Sequence, residues 1–333
     1  MESTNIVLTS KQHVELKKEP LPQLPEDSLL VKTRLSLIST GTECICYRGE
    51  HEEGSHWAGW VKHPFYLGYS NVGEVVEVGS TVKGYAVGDR VFATAHHREY
   101  HIVKPPTVKI PDGVSDESAA WSKLATIAQT GVRRADLSMG AKVAIIGSGP
   151  IGQLVTQYCR VMGAEEVMVI DFIADRLQIA TDHGATQTFQ GSAADAVPFV
   201  QDLTNGQLAD VVFDATGHFS VLPLALKLVR RFGTMLLIGD CPTPAKQVLT
   251  ADVITRQITI RGTHNENLSP DDAQEWSPTR QIELLYKYIG RGQMRVEDLI
   301  THRYSPREAP DVYSGLLEDR SDTIGVLFDW SRL

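Results

Sequence analysis

Val143-Ala-Ile-Ile-Gly-Ser-Gly-Pro-Ile-Gly152 reads as a buried strand, Val143 to Ile146, that breaks into a glycine turn and continues as a helix over Gln153–Met162. Each glycine has a physical task. Gly147 permits the tight turn, Gly149 lets the backbone approach a pyrophosphate, and Gly152 allows close helix–strand packing. The helix N-terminus, with Ser148, Pro150 and Ile151 around it, presents unpaired N–H groups and partial positive charge to the phosphates. A second strand, Glu166-Val-Met-Val-Ile170, ends at Asp171, which is 171 − 152 = 19 residues past the last glycine. An acidic residue at that distance is placed for a ribose 2′-hydroxyl. Strand, glycine turn, helix, strand and acid in register identify a dinucleotide-binding unit.

Working outward, residues 5–16 and 28–38 alternate apolar and polar and read as strands joined by a loop carrying Pro20, Pro22 and Pro25. Gly68 to Gly79 and Tyr85 to Phe92 are short β segments bent at glycines, so the N-terminal part reads as a small irregular β barrel. From about Ser118 helices begin, then alternate with strands through Gly262, the pattern of a doubly wound parallel sheet. Its later strands end at Ala215-Thr-Gly217, Gly239 and Gly262. A helix over Thr279–Tyr288, the stretch Leu299 to Tyr304 and a helix near Ala309–Leu317 follow. The expected fold is α/β, a Rossmann sheet plus a β-barrel domain, with residues 1–120, 121–262 and 263–333 as substrate domain, nucleotide domain and return segment.

The 333 residues suit about two domains of ~150 residues each. A net charge of −9 argues against nucleic acid or a membrane surface as principal partner. The start Met1-Glu-Ser-Thr lacks the basic and apolar regions of a signal peptide. Cys44, Cys46, Cys159 and Cys241 form no disulfide framework, so a reduced cytoplasmic setting is expected.

The order of these parts resembles the medium-chain dehydrogenases, whose N-terminal domain is GroES-like. The resemblance rests on Leu67 to Gly79, Gly88-Asp-Arg-Val91, Gly147 to Gly152, Asp214-Ala-Thr-Gly217 and Leu299-Ile-Thr-His302, and spans nearly the whole chain. Ile38-Ser-Thr-Gly-Thr-Glu43, Tyr47-Arg-Gly49 and Asp329-Trp-Ser331 are similar to the branch that contains bacteriochlorophyllide dehydrogenase. The resemblance implies hydride transfer between a carbinol and a nicotinamide cofactor, and a homodimer formed through the last strand of the nucleotide-binding sheet. It also implies that Thr40, Thr42 and Thr126 face the nicotinamide and that Thr216, Gly217 and Ile238 line the cofactor channel.

The departures from that family are informative. Zinc-dependent members carry Cys where this chain has Thr40, and Gly-His-Glu where it has Gly68-Tyr69-Ser70. Their third ligand position falls near Ser122 or Lys123. Catalytic zinc wants about three ligands from Cys, His and carboxylate, so no metal is expected. Cys44 and Cys46, read as a Cys-x-Cys on a strand, with His51, His56 or His63, form a weaker alternative metal set. In place of zinc, Tyr69 with a phenol pKa lowered by Lys123 is a candidate acid–base pair, beside the bland reading that Tyr69 fills the vacated pocket and Lys123 pairs with Glu43 or Asp116. His264, just past the last sheet strand, is a third candidate. Glu43 is read as holding the Thr40–Thr42 loop, and His96, His97 and His101 as solvated edge residues. Asp171 would repel a 2′-phosphate, so NAD is expected over NADP; Arg176 stacks on adenine or lies on the outer face of the next helix. The resulting expectation is an NAD-dependent, zinc-independent oxidoreductase acting on a secondary alcohol such as a polyol or sugar derivative. A quinone or enone reductase and a non-catalytic NAD-binding protein are the alternatives. The former predicts NADPH preference, against Asp171, and the latter predicts inert Tyr69 and Lys123.

Overall fold

A computed structural model describes the backbone of residues 1–333 and every side chain except that of Asp271. The chain divides into two compact units: Met1–Glu50, Trp60–Leu124 and Trp276–Leu333 form one, and His51–Gly59 with Ala125–Glu275 form the other. The short stretch His51–Gly59 thus groups with the nucleotide unit, although it leaves the chain between two pieces of the other unit. It is held there by Glu52, whose N–H bonds the Pro242 carbonyl at 2.8 Å and whose Oε2 accepts the Ala245 N–H at 2.9 Å.

The nucleotide unit is built on a six-stranded parallel sheet. The spatial order is Gln187–Gln190, Glu166–Asp171, Lys142–Ile146, Ala209–Asp214, Val229–Leu237, Thr259–Gly262. Lys142–Ile146 is central. Val143, Ala144 and Ile145 are wholly buried, which is why this strand is apolar without alternation. Burying each Val or Ile side chain stabilises by about 1.5–3 kcal/mol. From this strand the chain first builds to one side (Glu166–Asp171), then returns to the other (Ala209–Asp214). The order reverses at the strand that feeds the glycine turn, the place where open α/β sheets bind ligands.

The other unit holds a three-stranded sheet, ordered His13–Pro20, Glu2–Ser10, Phe65–Tyr66, and a seven-stranded sheet. In the latter, Leu29–Ile38 pairs with Asn71–Val78, Tyr100–Val103 and Gly325–Asp329. The pairing with Gly325–Asp329 brings the chain's last strand into the N-terminal sheet, and Trp276–Leu333 belong to this unit, whereas residues 263–275, expected in the return segment, group with the nucleotide unit. The fold is α/β as expected. One expectation is corrected: residues 5–16 are not one strand but parts of a hairpin, Glu2–Ser10 and His13–Pro20, turning at Lys11-Gln12 with Gln12 at φ 57°. Neither turn residue is Gly, Asn or Pro, so the turn carries no local signal. Among the described residues no helix is long and apolar enough to cross a membrane.

Candidate functional site

In the nucleotide unit the glycine turn has the geometry its sequence demands. Gly147 has φ 93°, and a Cβ there would stand 2.8 Å from Thr216 Cγ2. A Cβ on Gly152 would stand 1.9 Å from the Gly147 carbonyl oxygen, whereas a Cβ on Gly149 would meet nothing within 4 Å. Gly149 is the extended cap of the helix Pro150–Val161, and Pro150 takes the first helical position, where its missing N–H costs nothing. The space over Gly149 therefore stays open for a ligand, while Gly152 is consumed by packing.

Asp171 is half-buried, and both its oxygens are engaged by backbone. Oδ2 accepts the Ser148 N–H at 2.6 Å and Oδ1 accepts the Ile173 N–H at 2.9 Å. A carboxylate oxygen has two lone pairs, so each retains one acceptor position for a ribose hydroxyl. Gln153 ties the loop from below, donating to Ser148 Oγ at 2.8 Å and to the Arg176 carbonyl at 2.8 Å. Across the sheet, buried Asp214 accepts from Thr216 N–H (2.9 Å) and Thr216 Oγ1 (2.6 Å), shaping the Thr216-Gly217 turn. Burial pushes the Asp214 carboxyl up, and its Oδ2 has no hydrogen-bond partner. Gly217 (φ 65°) and Gly239 lie so close that a Cβ on Gly239 would stand 2.2 Å from the Gly217 nitrogen. Ile238 packs on Gly131, and Asn265 donates to Thr126 Oγ1 at 3.0 Å. The arrangement of Gly147–Gly152, Asp171, Thr216, Gly217 and Ile238 suits a dinucleotide. His264 lies in the same unit and is exposed.

The other unit holds Thr40, Thr42, Tyr69 and Lys123. Thr40 to Thr42 are not a loop but the first turn of the helix Thr40–Arg48. Cys44 and Cys46 sit on that helix, not on a strand. Two residues apart on a helix they do not share a face. Burial pushes the Cys44 thiol up to about 11 and raises Cys46 further, so both are inert thiols. Tyr69 is half-buried. Its hydroxyl donates to Ser39 Oγ at 2.5 Å, and the Thr42 hydroxyl is near enough to favour the ionised form. Burial raises the phenol pKa, and the charge of Glu43 adds to the rise, outweighing the two hydroxyls. The expected lowering is thus reversed in direction: removal from water disfavours phenolate more than any neighbour favours it.

Glu43 does secure the Thr40 turn, its Oε1 accepting the Ser39 N–H at 2.7 Å. Its Oε2 faces His97 Nε2 at 3.0 Å and accepts from the Tyr313 hydroxyl at 2.5 Å. Asp116 is engaged by Arg34 (2.8 Å) and Arg90 (2.6 Å). His97 and His101 are buried, not solvated: His101 pairs with Val31 in the sheet, and the His97 backbone bonds Leu67 and Ile6, contacts that the local sequence does not reveal. Ser39, His97 and Tyr313 belong to the Tyr69 environment, a place the sequence reading gave to none of them.

The positions at which zinc-dependent relatives place metal ligands do not suit zinc here. The Tyr69 hydroxyl is a neutral phenol that donates to Ser39 Oγ, not a metal-ligating atom. Ser70 Oγ donates to the Ala120 carbonyl at 2.6 Å, and Ser122 Oγ donates to the Ala119 carbonyl at 2.7 Å while sharing a 3.0 Å hydrogen bond with the Tyr286 hydroxyl. Among the described residues no group of three or more His, Cys, Asp and Glu is gathered as a metal ion requires.

A GroES-like unit and a Rossmann sheet with this glycine cradle in one chain define a nicotinamide-dependent oxidoreductase. Comparison with known families agrees. The alcohol dehydrogenase GroES-like domain matches residues 26–107, and the zinc-binding dehydrogenase family matches residues 150–279. An L-threonine 3-dehydrogenase from Symbiobacterium thermophilum is 30% identical, the alignment covering 86% of this chain and 87% of that one. Sorbitol dehydrogenase 1 of Saccharomyces cerevisiae is 26% identical over 92% of each. A zinc-binding-type dehydrogenase from Sinorhizobium meliloti, solved with NADP bound, superposes with a TM-score of 0.81 at 24% identity over 99% of each chain, a likeness of fold. The chain belongs to the medium-chain dehydrogenase/reductase superfamily.

Proposed function

We propose that this protein is an NAD-dependent, zinc-independent dehydrogenase that interconverts a secondary alcohol and a ketone on a polyol, sugar derivative or similar hydroxylated small molecule. The observation that carries the reading is the Tyr69 phenol, flanked by the Ser39 and Thr42 hydroxyls where zinc-dependent members place a ligand histidine. When bound, NAD accepts or returns the hydride. The protein's own part is the proton. A phenol held protonated by burial turns its hydrogen from Ser39 Oγ to the ketone oxygen in reduction and takes a replacement from the Ser39 hydroxyl, which water reprotonates; in oxidation the carbinol proton leaves to water by the same route in reverse. Lys123, half-buried at the start of the helix Ser122–Arg134, and His264 are the further candidates for the substrate side.

Gly147, Ser148, Gly149, Pro150, Ile151 and Gly152 would hold the pyrophosphate, and Asp171 the adenosine ribose. A 2′-phosphate beside that carboxylate would suffer like-charge repulsion, which supports NAD over NADP. Arg176, Thr126, Thr216, Gly217 and Ile238 would complete the cofactor site. The sorbitol and threonine dehydrogenases among its relatives support a carbinol substrate. We further infer a cytosolic homodimer joined along the edge strand Thr259–Gly262.

Metal analysis of the purified protein, with NADH and NADPH fluorescence titrations and a polyol turnover panel, tests this directly. The reading expects less than about a tenth of a zinc per chain, tighter NADH than NADPH binding, and turnover of at least one polyol. Near one zinc per chain would sink the zinc-free reading, and a preference for NADPH would favour an enone reductase instead.

A further inference from the structure

Glu43 is where the supports of Tyr69 meet. Its carboxylate is 2% exposed, and the His97 ring beside it is fully buried. A buried carboxylate is costly unless donors surround it. Here three do: the Ser39 N–H on Oε1, and the Tyr313 hydroxyl and His97 Nε2 on Oε2.

Two arms lead from this carboxylate to Tyr69. The first is Ser39, whose N–H is held by Glu43 and whose Oγ receives the phenolic hydrogen. The second is His97, whose ring lies directly under the backbone that carries Tyr69. A Cβ on Gly68, which has φ 90°, would stand 2.5 Å from His97 Cδ2. The His97 N–H also bonds the Leu67 carbonyl at 2.7 Å. His97 Nδ1 is in turn 2.8 Å from Ser36 Oγ, which accepts the Trp330 indole N–H at 2.9 Å. The Glu43 carboxylate can only accept, so Nε2 carries the hydrogen of that contact, and Nδ1 pairs with the Ser36 hydroxyl.

We propose that Glu43 and His97 are positioning residues for the proton-transfer step. One carboxylate fixes, through Ser39, the hydroxyl that receives the Tyr69 phenol and, through His97, the turn that carries it. The inference rests on Tyr69 being the proton donor. The negative charge of Glu43 acts in the same sense as burial, keeping the phenol protonated.

The test compares Glu43→Gln, His97→Leu, His97→Gln and Tyr69→Phe, with thermal unfolding and NADH titration as checks on the fold. Glu43→Gln keeps the shape and removes the charge. His97→Gln keeps an N–H for Glu43, and His97→Leu removes it. With the polyol that turns over fastest in the panel, Glu43→Gln and His97→Leu are expected to lower kcat about tenfold or more with KM and NADH affinity unchanged, as a small misplacement of an acid does. His97→Gln recovers part of that loss. Amide hydrogen exchange at Gly68 and Tyr69 is expected to quicken in His97→Leu, a readout that needs no substrate.

Parent-like kcat in Glu43→Gln and His97→Leu, or unchanged exchange at Gly68 and Tyr69, overturns the inference. If Tyr69→Phe loses turnover while the other variants keep it, only the positioning role fails. If Tyr69→Phe keeps full turnover, the reading of Tyr69 itself fails. Should Glu43→Gln not fold, the His97 pair carries the comparison.

Discussion

Gly152 faces the carbonyl oxygen of Gly147 across a gap in which a single methyl would stand 1.9 Å from that oxygen. Gly149, three residues earlier, would meet nothing. Two glycines of one motif thus have separable tasks. Gly152→Ala is expected to destabilise the folded protein by roughly 1–3 kcal/mol through overpacking, read as a lower Tm. Gly149→Ala leaves the Tm within about 2 °C, since its φ of −76° suits alanine, but weakens NADH binding at least ~10-fold by crowding the bound pyrophosphate. Equal Tm losses in the two variants would contradict this division of labour.

Asp171 spends one lone pair on each oxygen holding Ser148 and Ile173. Replacing it with Asn preserves size and removes charge. The ratio of NADPH to NADH affinity is expected to rise about tenfold, ~1.4 kcal/mol, in paired fluorescence titrations. An unchanged ratio would remove Asp171 from cofactor choice.

Tyr69→Phe deletes the hydroxyl that Ser39 receives at 2.5 Å and leaves the ring. General acid catalysis contributes ~10²–10⁴-fold, so kcat is expected to fall by about a hundredfold with NADH affinity unaltered.

His101 is buried, with Nδ1 3.2 Å from Thr33 Oγ1 and Nε2 without a partner. Burial holds its pKa down, to about 3. Below its ordinary value near 6.5 the unfolded chain takes up a proton that the folded protein refuses. Stability from this group is therefore present above about pH 6.5 and is lost as pH falls toward 3, by up to ~1.4 kcal/mol per pH unit. A His101→Leu variant is expected to show a shallower loss of Tm between pH 6.5 and 4. An identical slope in parent and variant would refute the assignment.

The strand Thr259–Gly262 ends the six-stranded sheet with an open edge, and Val248, Leu249 and Ile254 just before it are exposed. An unpaired edge beside apolar side chains favours pairing with a second copy. Sedimentation of the parent is expected to give a dimer and of Ile254→Glu with Leu249→Glu a monomer. A monomeric parent would end the proposal.

The dinucleotide half of this protein was determined by local sequence. A strand buried on both faces must be an apolar run, a pyrophosphate turn must carry glycines at fixed spacing, and Asp171 must follow at one strand's remove. Those constraints act over a few tens of residues, so Val143 to Asp171 shows them directly. The surroundings of Tyr69 were decided only by tertiary structure. Ser39, Glu43, Gly68, His97, Tyr313 and Trp330 come together from distant parts of the chain because Leu29–Ile38 pairs with strands on both sides, including the last one, Gly325–Asp329. No periodicity records such pairing, so the burial of His97 and the helix under Cys44 and Cys46 were misread. For the same reason the sequence suggested that Lys123 would lower the Tyr69 pKa, whereas burial, a property of the assembled fold, raises it.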